Sequence, residues 1–296
     1  MSQRYIEDLA WELRRDVVKM TAHAGSGHLG GCLSSADLLA TLFGREWVKK
    51  EGERYLFVLS PGHLAPLLYA VMARLGTGFL SELLTLRNFR SALQGHPVLS
   101  HNQDIFSLEG LFSGSGSLGQ GLSIAAGAAK AIARQHRQDP PTFYVLLGDG
   151  ELQEGQIWEA AMFAAYHGLK NLVAVVDWNG QQLDGTNADV MDLGDLPAKW
   201  RAFGWDVAEV NGHDCVAIEA ALRGFAEANK PKVLLAHTVM GHGIPEIENQ
   251  SLWHGKAPSA TERERFLQAL TTSHHALKPQ LPIANGLEKQ VIFTEI

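Results

Sequence analysis

The sequence contains little cysteine, no long apolar run and no cluster of basic residues. Its two cysteines, Cys32 and Cys215, are too few for a disulfide framework or a multi-cysteine metal site, and they are typical of a reducing compartment. No run of about 18 apolar residues is present, so we expect no membrane-spanning helix. The formal net charge of −7 gives nucleic acid no broad electrostatic reason to bind. We therefore expect a cytoplasmic protein that binds neither membrane nor nucleic acid.

The composition predicts a large folded core. Hydrophobic residues make up 46% of the 296 residues and charged residues 19%, which is the balance of a globular chain. Residues 1–20 alternate charged and apolar side chains at helical spacing. This segment predicts an amphipathic helix, and it lacks the continuous apolar centre of a signal peptide.

Five short apolar runs predict the strands of a sheet. They are nearly continuous and rich in branched or aromatic residues, as expected of strands covered on both faces. The runs are 55–60, 142–147, 171–176, 205–210 and 232–238. Stretches with helical character lie before or between them, at 34–43, 119–136 and 154–168. This alternation predicts an α/β fold in which a parallel sheet has helices on both faces.

Unusual motifs follow four of these runs. "SPGH" follows the first run, "GDG" the second, "DWNG" the third and "MGHG" the last. Ligands of open parallel sheets bind beyond the carboxyl ends of the strands. The clustering of these motifs at strand ends therefore predicts an enzyme site rather than a scaffold.

Two of these motifs offer oxygen ligands for a metal ion. Asp149 supplies a carboxylate, Asn179 an amide oxygen and Gln181 a main-chain carbonyl, a set that suits magnesium shared with a diphosphate. Residues 151–178 are long enough for one helix and one strand, so Asp149 and Asn179 are expected on neighbouring strand ends. Taken singly, Asp149 is also consistent with a helix cap and Asn179 with a turn.

The same two motifs resemble a known cofactor signature. "GDG" followed, after a helix and a strand, by "DWN" resembles the thiamine diphosphate signature. Six segments resemble motifs of the transketolases and occur in the order that the family has. They are "GSGHLGGCLSSADLLATLF", "LSPGHLAPLLYA", "FRSALQGHPVLS", "SGSGSLGQGLSIAAGAAKA", "GDGELQEGQIWEA" and "NQSLWHGKAP". The resemblance implies a thiamine diphosphate-binding fold that holds thiamine diphosphate with Mg²⁺, or with Ca²⁺ or Mn²⁺. It also implies transfer of a two-carbon ketol unit from a ketose phosphate to an aldose phosphate.

The resemblance covers only the first domain of a transketolase. It implies a diphosphate-binding domain over residues 1–275 and a C-terminal tail over 276–296. In the family the cofactor lies between two polypeptides, and the glutamate that activates its aminopyrimidine belongs to a pyrimidine-binding domain. The chain therefore resembles the N-terminal subunit of a split transketolase. We expect activity only with a separate C-terminal subunit, in an α2β2 heterotetramer.

The resemblance also implies roles for individual residues. Asp149, Asn179 and the carbonyl of Gln181 match the metal ligands of the family. Glu154 and Glu159 match glutamates that link cofactors across the subunit interface, although an acidic helix start and a solvated helix face are the alternative interpretations. The positions that match cofactor contacts are His63, Gly116, Leu118, Asp149, Gly150, Asn179 and His254.

Four histidines stand in the transketolase-like motifs: His28, His63, His96 and His254. By resemblance they surround the reacting sugar, and imidazoles suit this chemistry because they exchange protons near neutral pH. We expect His28 and His254 to polarise the carbonyl oxygen and move protons. His63 and His96 are expected to bind cofactor phosphate or substrate hydroxyls. All the other histidines except His242, His213 among them, are interpreted as structural.

Two positions depart from the family pattern. His242 stands where a lysine is more common, and Ser117 stands where proline is common. Both are expected near the site, so they bear on the choice of sugar rather than on cofactor binding. Two alternatives stay open: the α subunit of a thiamine-dependent 2-oxo acid dehydrogenase, and a transketolase-like subunit without turnover. The four histidine motifs favour sugar transfer.

Overall fold

The computed structural model describes residues 2–45, 47–51, 54–77, 80–99, 111–136 and 138–276. Ten α-helices lie in this part of the chain: α1 Gln3–Ala24, α2 Leu29–Ser34, α3 Ala36–Gly44, α4 Ala65–Met72, α5 Gln120–Gln135, α6 Gly155–Tyr166, α7 Asn187–Met191, α8 Leu196–Ala202, α9 Cys215–Gly224 and α10 Ala260–Ala276. The same ranges contain nine strands: β1 Lys50–Glu51, β2 Arg54–Tyr55, β3 Phe57–Leu59, β4 Phe143–Gly148, β5 Leu172–Trp178, β6 Gln181–Gln182, β7 Gly185–Thr186, β8 Asp206–Asn211 and β9 Lys232–His237.

Five of the strands form one parallel sheet in the order β3-β4-β5-β9-β8. Each of the five apolar runs in the sequence corresponds to one of these strands, so the predicted strands are confirmed. The remaining strands form two short antiparallel pairs, β1 with β2 and β6 with β7. Parallel neighbours need crossover connections, and helices supply most of them here. The α/β prediction is therefore confirmed.

Side chains of the central strands alternate between two hydrophobic cores. In β4, Tyr144 and Leu146 enter one core, whereas Phe143, Val145 and Leu147 enter the other. Helices α1, α3, α4 and α10 close the first core, and α5, α6 and α8 close the second. The sheet is covered on both faces, as predicted, and this explains why the strands are almost continuously apolar.

The amphipathic N-terminal segment forms α1, which packs against α3, α4 and α10. Ser2 caps its first turn, because the Ser2 hydroxyl oxygen accepts a hydrogen bond from the N–H of Tyr5. The helix ends at Ala24, and the residue that caps it, Gly25, has a φ of 59°, in the left-handed region that glycine adopts without strain. The chain then turns directly into the loop that carries His28.

The carboxyl ends of β3, β4, β5 and β9 lie at one edge of the sheet. Gly148 at the end of β4 pairs in register with Asp177 near the end of β5. The N–H of Asp149 donates to the main-chain carbonyl of Asp177 at 3.2 Å. The sheet therefore places Asp149 and Asn179 on neighbouring strand ends, as expected from the sequence.

Helix α10 ends at Ala276, and the predicted tail, 276–296, otherwise lies outside the described residues. The boundary at residue 275 stays a prediction. Within the ranges that the structure describes, no helix combines the length and the apolar character needed to cross a membrane.

Candidate active site

Three of the four predicted histidines meet at this edge of the sheet. His28 precedes α2, His63 lies in the 3-10 turn after β3, and His254 follows the 3-10 turn Ser251–Trp253. The ring centroids are 4.9 Å apart for His28 and His63, 5.2 Å for His63 and His254, and 5.9 Å for His28 and His254. Three separate loops thus build one cluster of imidazoles.

Burial lowers the pKa of all three imidazoles, and neighbouring positive charges add to the shift at His28 and His63. Burial, followed by the charges of His254, Arg87 and His96, lowers the pKa of His28 to about 4. Burial, followed by His28 and His254, lowers the pKa of His63 to about 3. Burial also lowers the pKa of His254, although the Asp177 carboxylate opposes that shift. At neutral pH all three rings can accept a proton or a hydrogen bond.

The cluster contains a polar atom without a partner. Nδ1 of His28 is buried and makes no hydrogen bond with the part of the chain that the structure describes. A buried, unpaired ring nitrogen is unfavourable in the protein alone, and it is satisfied when a ligand supplies the missing partner. The atom therefore indicates that the cluster is built around a bound molecule.

His96 and the glycine-rich loop before α5 border the cluster. His96 is exposed, and a Cβ atom at Gly116 would stand 3.8 Å from its Cγ atom. A Cβ atom at Gly62, next to His63, would stand 2.8 Å from the main-chain nitrogen of Gly116, so these two loops touch through their backbones. Leu118 is 36% exposed, which leaves it available to a ligand or a partner chain.

Asp149 is a buried carboxylate directly after β4. It is 2% exposed and accepts hydrogen bonds from the main-chain N–H of Gly150 at 2.8 Å and of Gly180 at 2.5 Å. Burial, and secondarily the charge of Asp177, raise its pKa to about 7. A divalent cation bound at this carboxylate would counteract that shift, because it stabilises the ionised form.

Asn179 is oriented by Asp177, a residue to which sequence reasoning assigned no role. The Asn179 amide nitrogen donates to Oδ2 of Asp177 at 3.1 Å, and its amide oxygen accepts from the N–H of Gln181 at 2.9 Å. The same Oδ2 accepts from the hydroxyls of Ser34 at 2.6 Å and Ser35 at 2.8 Å. Asp177 thereby fixes the direction in which the amide oxygen points, and it links the turn that carries Asn179 to α2.

Glu151 is a second residue that sequence reasoning missed. It is 3% exposed, and its carboxylate accepts hydrogen bonds from the N–H groups of Gly119 at 2.7 Å and Gly148 at 3.1 Å and from the Ser60 hydroxyl. It therefore ties together the ends of β3 and β4 and the glycine-rich loop. An acidic residue after "GDG" gives no local signal that its carboxylate turns inward.

The donor set fits a hard cation and a diphosphate. The Asp149 carboxylate, the Asn179 amide oxygen and the carbonyl of Gln181 lie on one turn and its neighbouring strand end, and all are oxygen ligands of the kind that Mg²⁺ prefers. Gly150 lies beside them, and its main-chain N–H is donated to the Asp149 carboxylate. The fit supports the predicted metal ligands, and their role stays a proposal.

A separate cluster of one aspartate and two histidines is unsuited to binding a metal ion. Asp37, His213 and His242 lie close together. However, Arg14 pairs with Asp37, and Nδ1 of His213 lies 2.8 Å from Asp37 while its Nε2 accepts from the N–H of Val239 at 2.9 Å. Burial opposes the charge on Asp37, yet Arg14 and His213 hold its pKa below the usual range. The Asp37 carboxylate and both ring nitrogens of His213 are already engaged, so this group is structural.

His242 belongs to that structural group rather than to the imidazole cluster. Its ring stacks on the ring of His213 with centroids 3.6 Å apart, and its Nδ1 lies 3.5 Å from Glu248. Burial, followed by the charge of Arg14, lowers the pKa of His242 to about 3. The contacts made by His242 therefore give no support to a role in choosing the sugar. Ser117 is exposed in the loop before α5.

Glu154 and Glu159 are both exposed at α6. Glu154 occupies the N-cap position, so it stands at the start of the helix, but its side chain makes no capping hydrogen bond. Glu159 lies one turn into the helix. The same helix exposes Met162 at 53%, Phe163 at 39% and Tyr166 at 86%. The two glutamates therefore share α6 with apolar side chains that face the surface.

Solved structures of transketolases are similar to this fold. The transketolase of Campylobacter jejuni matches with a TM-score of 0.77 and 27% identity, over 93% of this chain and 48% of that one. A match over so much of this chain takes in nearly all of the fold described above. Fold and site together define a diphosphate-binding domain of the thiamine-dependent class.

Residues 7–279 match the family described as "Transketolase, thiamine diphosphate binding domain". The chain belongs to the transketolase family. It is 38% identical to one of the subunits of the apulose-4-phosphate transketolase of Phocaeicola vulgatus over 266 residues, which are 87% of this chain and 91% of that protein. It is 37% identical to "6-deoxy-6-sulfo-D-fructose transketolase subunit SqwG" of a Clostridium species over 252 residues, 82% of this chain and 87% of that protein. The chain spans less than half of the longer transketolases that it matches.

Proposed function

We propose that this chain is the thiamine diphosphate-binding subunit of a two-chain transketolase, which moves a two-carbon ketol unit from a ketose phosphate to an aldose phosphate. The observation that carries the proposal is the cluster of His28, His63 and His254 at the sheet edge where the buried carboxylate of Asp149 also lies. The similarity to two proteins named as transketolase subunits supports the two-chain form.

Asp149, Asn179 and the carbonyl of Gln181 would hold Mg²⁺, and Ca²⁺ or Mn²⁺ would also accept these oxygen ligands. The further contacts proposed for thiamine diphosphate are His63, Gly116, Leu118, Gly150 and His254. When bound, thiamine diphosphate supplies the electron sink that allows the bond next to the ketose carbonyl to break. The protein's part is to bind, orient and move protons.

The imidazoles perform the proton chemistry in this proposal. His28 and His254 lie on two sides of the cluster and are neutral at pH 7, so they can take the proton of a donor hydroxyl and return it to the product. His63 and His96 bind phosphate oxygens or sugar hydroxyls. The low pKa of His28 and His63 keeps them as acceptors throughout the physiological range.

The partner subunit is expected to cover α6 and the start of α5. Glu154 and Glu159 share α6 with exposed apolar side chains, and exposed apolar surface of this kind is typical of an interface with another chain. Burying that face against a chain that carries the pyrimidine-binding domain would complete the site, and two copies of each chain would form α2β2. Both cysteines are buried and free, in keeping with a reducing compartment, so we place the enzyme in the cytoplasm.

Reconstitution tests the proposed function. The chain is assayed by itself and then mixed with a separately produced C-terminal transketolase subunit that carries the pyrimidine-binding domain. Both assays contain thiamine diphosphate, Mg²⁺ and xylulose 5-phosphate as donor, and apulose 4-phosphate is a second donor. Activity is expected only in the mixture. Asp149→Asn should abolish it, whereas the matched control Asp184→Asn, at an exposed position, should not. A mixture that binds the cofactor and transfers nothing from either donor would contradict the proposed reaction.

A further inference from the structure

Arg87 lies between the two loops that carry His28 and His96. A terminal nitrogen of its guanidinium donates a hydrogen bond to Oγ of Ser26, two residues before His28. On the other side the guanidinium packs against Gly95, the neighbour of His96. A Cβ atom at position 95 would stand 3.1 Å from Nε and 3.3 Å from Cζ of Arg87. The side chain therefore fills the space between the two loops.

The backbone of Arg87 is held in an unfavourable conformation. Its φ is 61°, in the left-handed region that residues with a β-carbon rarely adopt. The N–H of Arg87 donates to the carbonyl of Leu93 at 2.7 Å and so closes the loop that fixes this conformation. In this strained conformation the guanidinium of Arg87 lies against Ser26 and Gly95.

The guanidinium is also poorly satisfied. It has five N–H donors, yet within the described part of the chain Ser26 is its one side-chain acceptor, and no carboxylate there pairs with it. Its Nε is buried and has no hydrogen-bond partner among the described residues. A buried donor left unpaired destabilises the fold, as backbone strain does. Strained residues that also carry a buried unpaired group are concentrated at functional sites.

The charge of Arg87 reaches the imidazole cluster. It contributes, after burial and His254, to the low pKa of His28. The groups that face His28 are His63, His96, His254 and Arg87. Arg87 is the only permanently charged group in this set.

Because its backbone is held at a positive φ and its buried Nε has no partner among the described residues, we infer that Arg87 is a positioning residue of the ketol transfer. Its guanidinium holds the Ser26–His28 loop and the Gly95–His96 loop at the separation at which His28 and His96 reach the same substrate. The inference rests on the proposed function. Arg87 is not among the residues proposed to hold the metal ion or the cofactor, and its effect passes through two histidines.

Four single variants of the two-chain enzyme and the double variant Arg87→Asn/Ser26→Ala test the inference. Arg87→Asn removes the charge while tolerating a left-handed backbone, Arg87→Lys keeps the charge and part of the reach, and Ser26→Ala removes the acceptor. The matched control is Arg90→Asn, because Arg90 also has a positive φ, of 67°, but is exposed. Measured quantities are kcat and KM for the ketose phosphate, the affinity for thiamine diphosphate, and the Tm of the chain.

Arg87→Asn is expected to lower kcat/KM about a hundredfold, since misplacement of a reacting group by about 1 Å has an effect of that size. The affinity of Arg87→Asn for thiamine diphosphate should stay within about twofold of the wild type. Its Tm should not fall, because backbone strain and an unpaired charge are removed. Arg87→Lys should recover part of the loss in kcat/KM. In the Arg87→Asn background, Ser26→Ala should change nothing further. Arg90→Asn should match the wild type.

Two results would overturn the inference: unchanged kcat and KM in Arg87→Asn, or a fall in Tm of several degrees with full activity per folded site. A wild-type mixture that transfers no ketol unit would instead defeat the proposed function. In that case the Tm of Arg87→Asn still distinguishes two roles of the arginine. An unchanged or higher Tm indicates that the fold does not need Arg87, whereas a Tm lower by several degrees indicates that Arg87 stabilises the fold.

Discussion

The affinity of the two-chain enzyme for Mg²⁺ should depend on pH, because Asp149, the proposed ligand, must be ionised to bind the ion. Burial raises the pKa of this carboxyl to about 7, whereas an ordinary aspartate has a pKa of 3.8. The protonated form cannot ligate the ion, so affinity is present above pH 7 and is lost as the pH falls through 7. An aspartate with an ordinary pKa would give no change anywhere above about pH 5.

The size of the effect follows from the ionised fraction. With a pKa of about 7, Asp149 is roughly nine-tenths ionised at pH 8, half ionised at pH 7 and one-tenth ionised at pH 6. The apparent association constant should therefore fall about fivefold from pH 7 to pH 6, and about tenfold for each further unit. Binding at pH 6 should release close to one proton from this site.

Isothermal titration calorimetry with saturating thiamine diphosphate measures both quantities. Repeating the titration in buffers of different ionisation enthalpy counts the protons released. The diphosphate also titrates in this range, so Mg²⁺ binding to free thiamine diphosphate is measured at each pH and subtracted. A corrected affinity that changes less than about twofold between pH 8 and pH 6 would refute the reasoning.

Three further outcomes are expected. Asp177→Asn should weaken Mg²⁺–thiamine diphosphate binding about tenfold in calorimetry, because neutral hydrogen bonds hold the Asn179 amide less firmly than charge-assisted ones; an affinity equal to that of the wild type would contradict this. Tyr166→Asp should block assembly with the partner in analytical ultracentrifugation, whereas Val216→Asp, 47% exposed on α9, should assemble normally. Trp200→Ala should lower the free energy of unfolding by about 3–5 kcal/mol in urea, since Trp200 is fully buried, and a loss below about 1 kcal/mol would contradict the packing described.

Much of the fold could be predicted because its signals are local. Each central strand is a short apolar run, and alternation with helical stretches limits the topology to a parallel sheet. The nearness of Asp149 and Asn179 also followed from sequence, because neighbouring parallel strands end at the same edge. The prediction that His28, His63 and His254 lie together depended instead on the family resemblance, because their spacing in the sequence does not indicate that their three loops meet.

The inward-facing polar network could not be predicted. Ser34 and Asp177 are hydrogen-bonded although 143 positions separate them, and local periodicity carries no information about such a pair. Glu151 has the local pattern of a surface acid and is buried against two loops. His242 illustrates the converse: its motif predicts a place near the site, whereas stacking on His213 decides its environment.

The most direct test of the central claim follows the transferred carbons. Xylulose 5-phosphate labelled with ¹³C at C1 and C2 is incubated with ribose 5-phosphate and the two-chain enzyme, and the products are examined by NMR. Intact transfer predicts a ketose phosphate that is two carbons longer than ribose 5-phosphate and carries both labels, adjacent to each other, at C1 and C2. Separated labels, labelled carbon dioxide, or the same yield from an Asp149→Asn enzyme would contradict it.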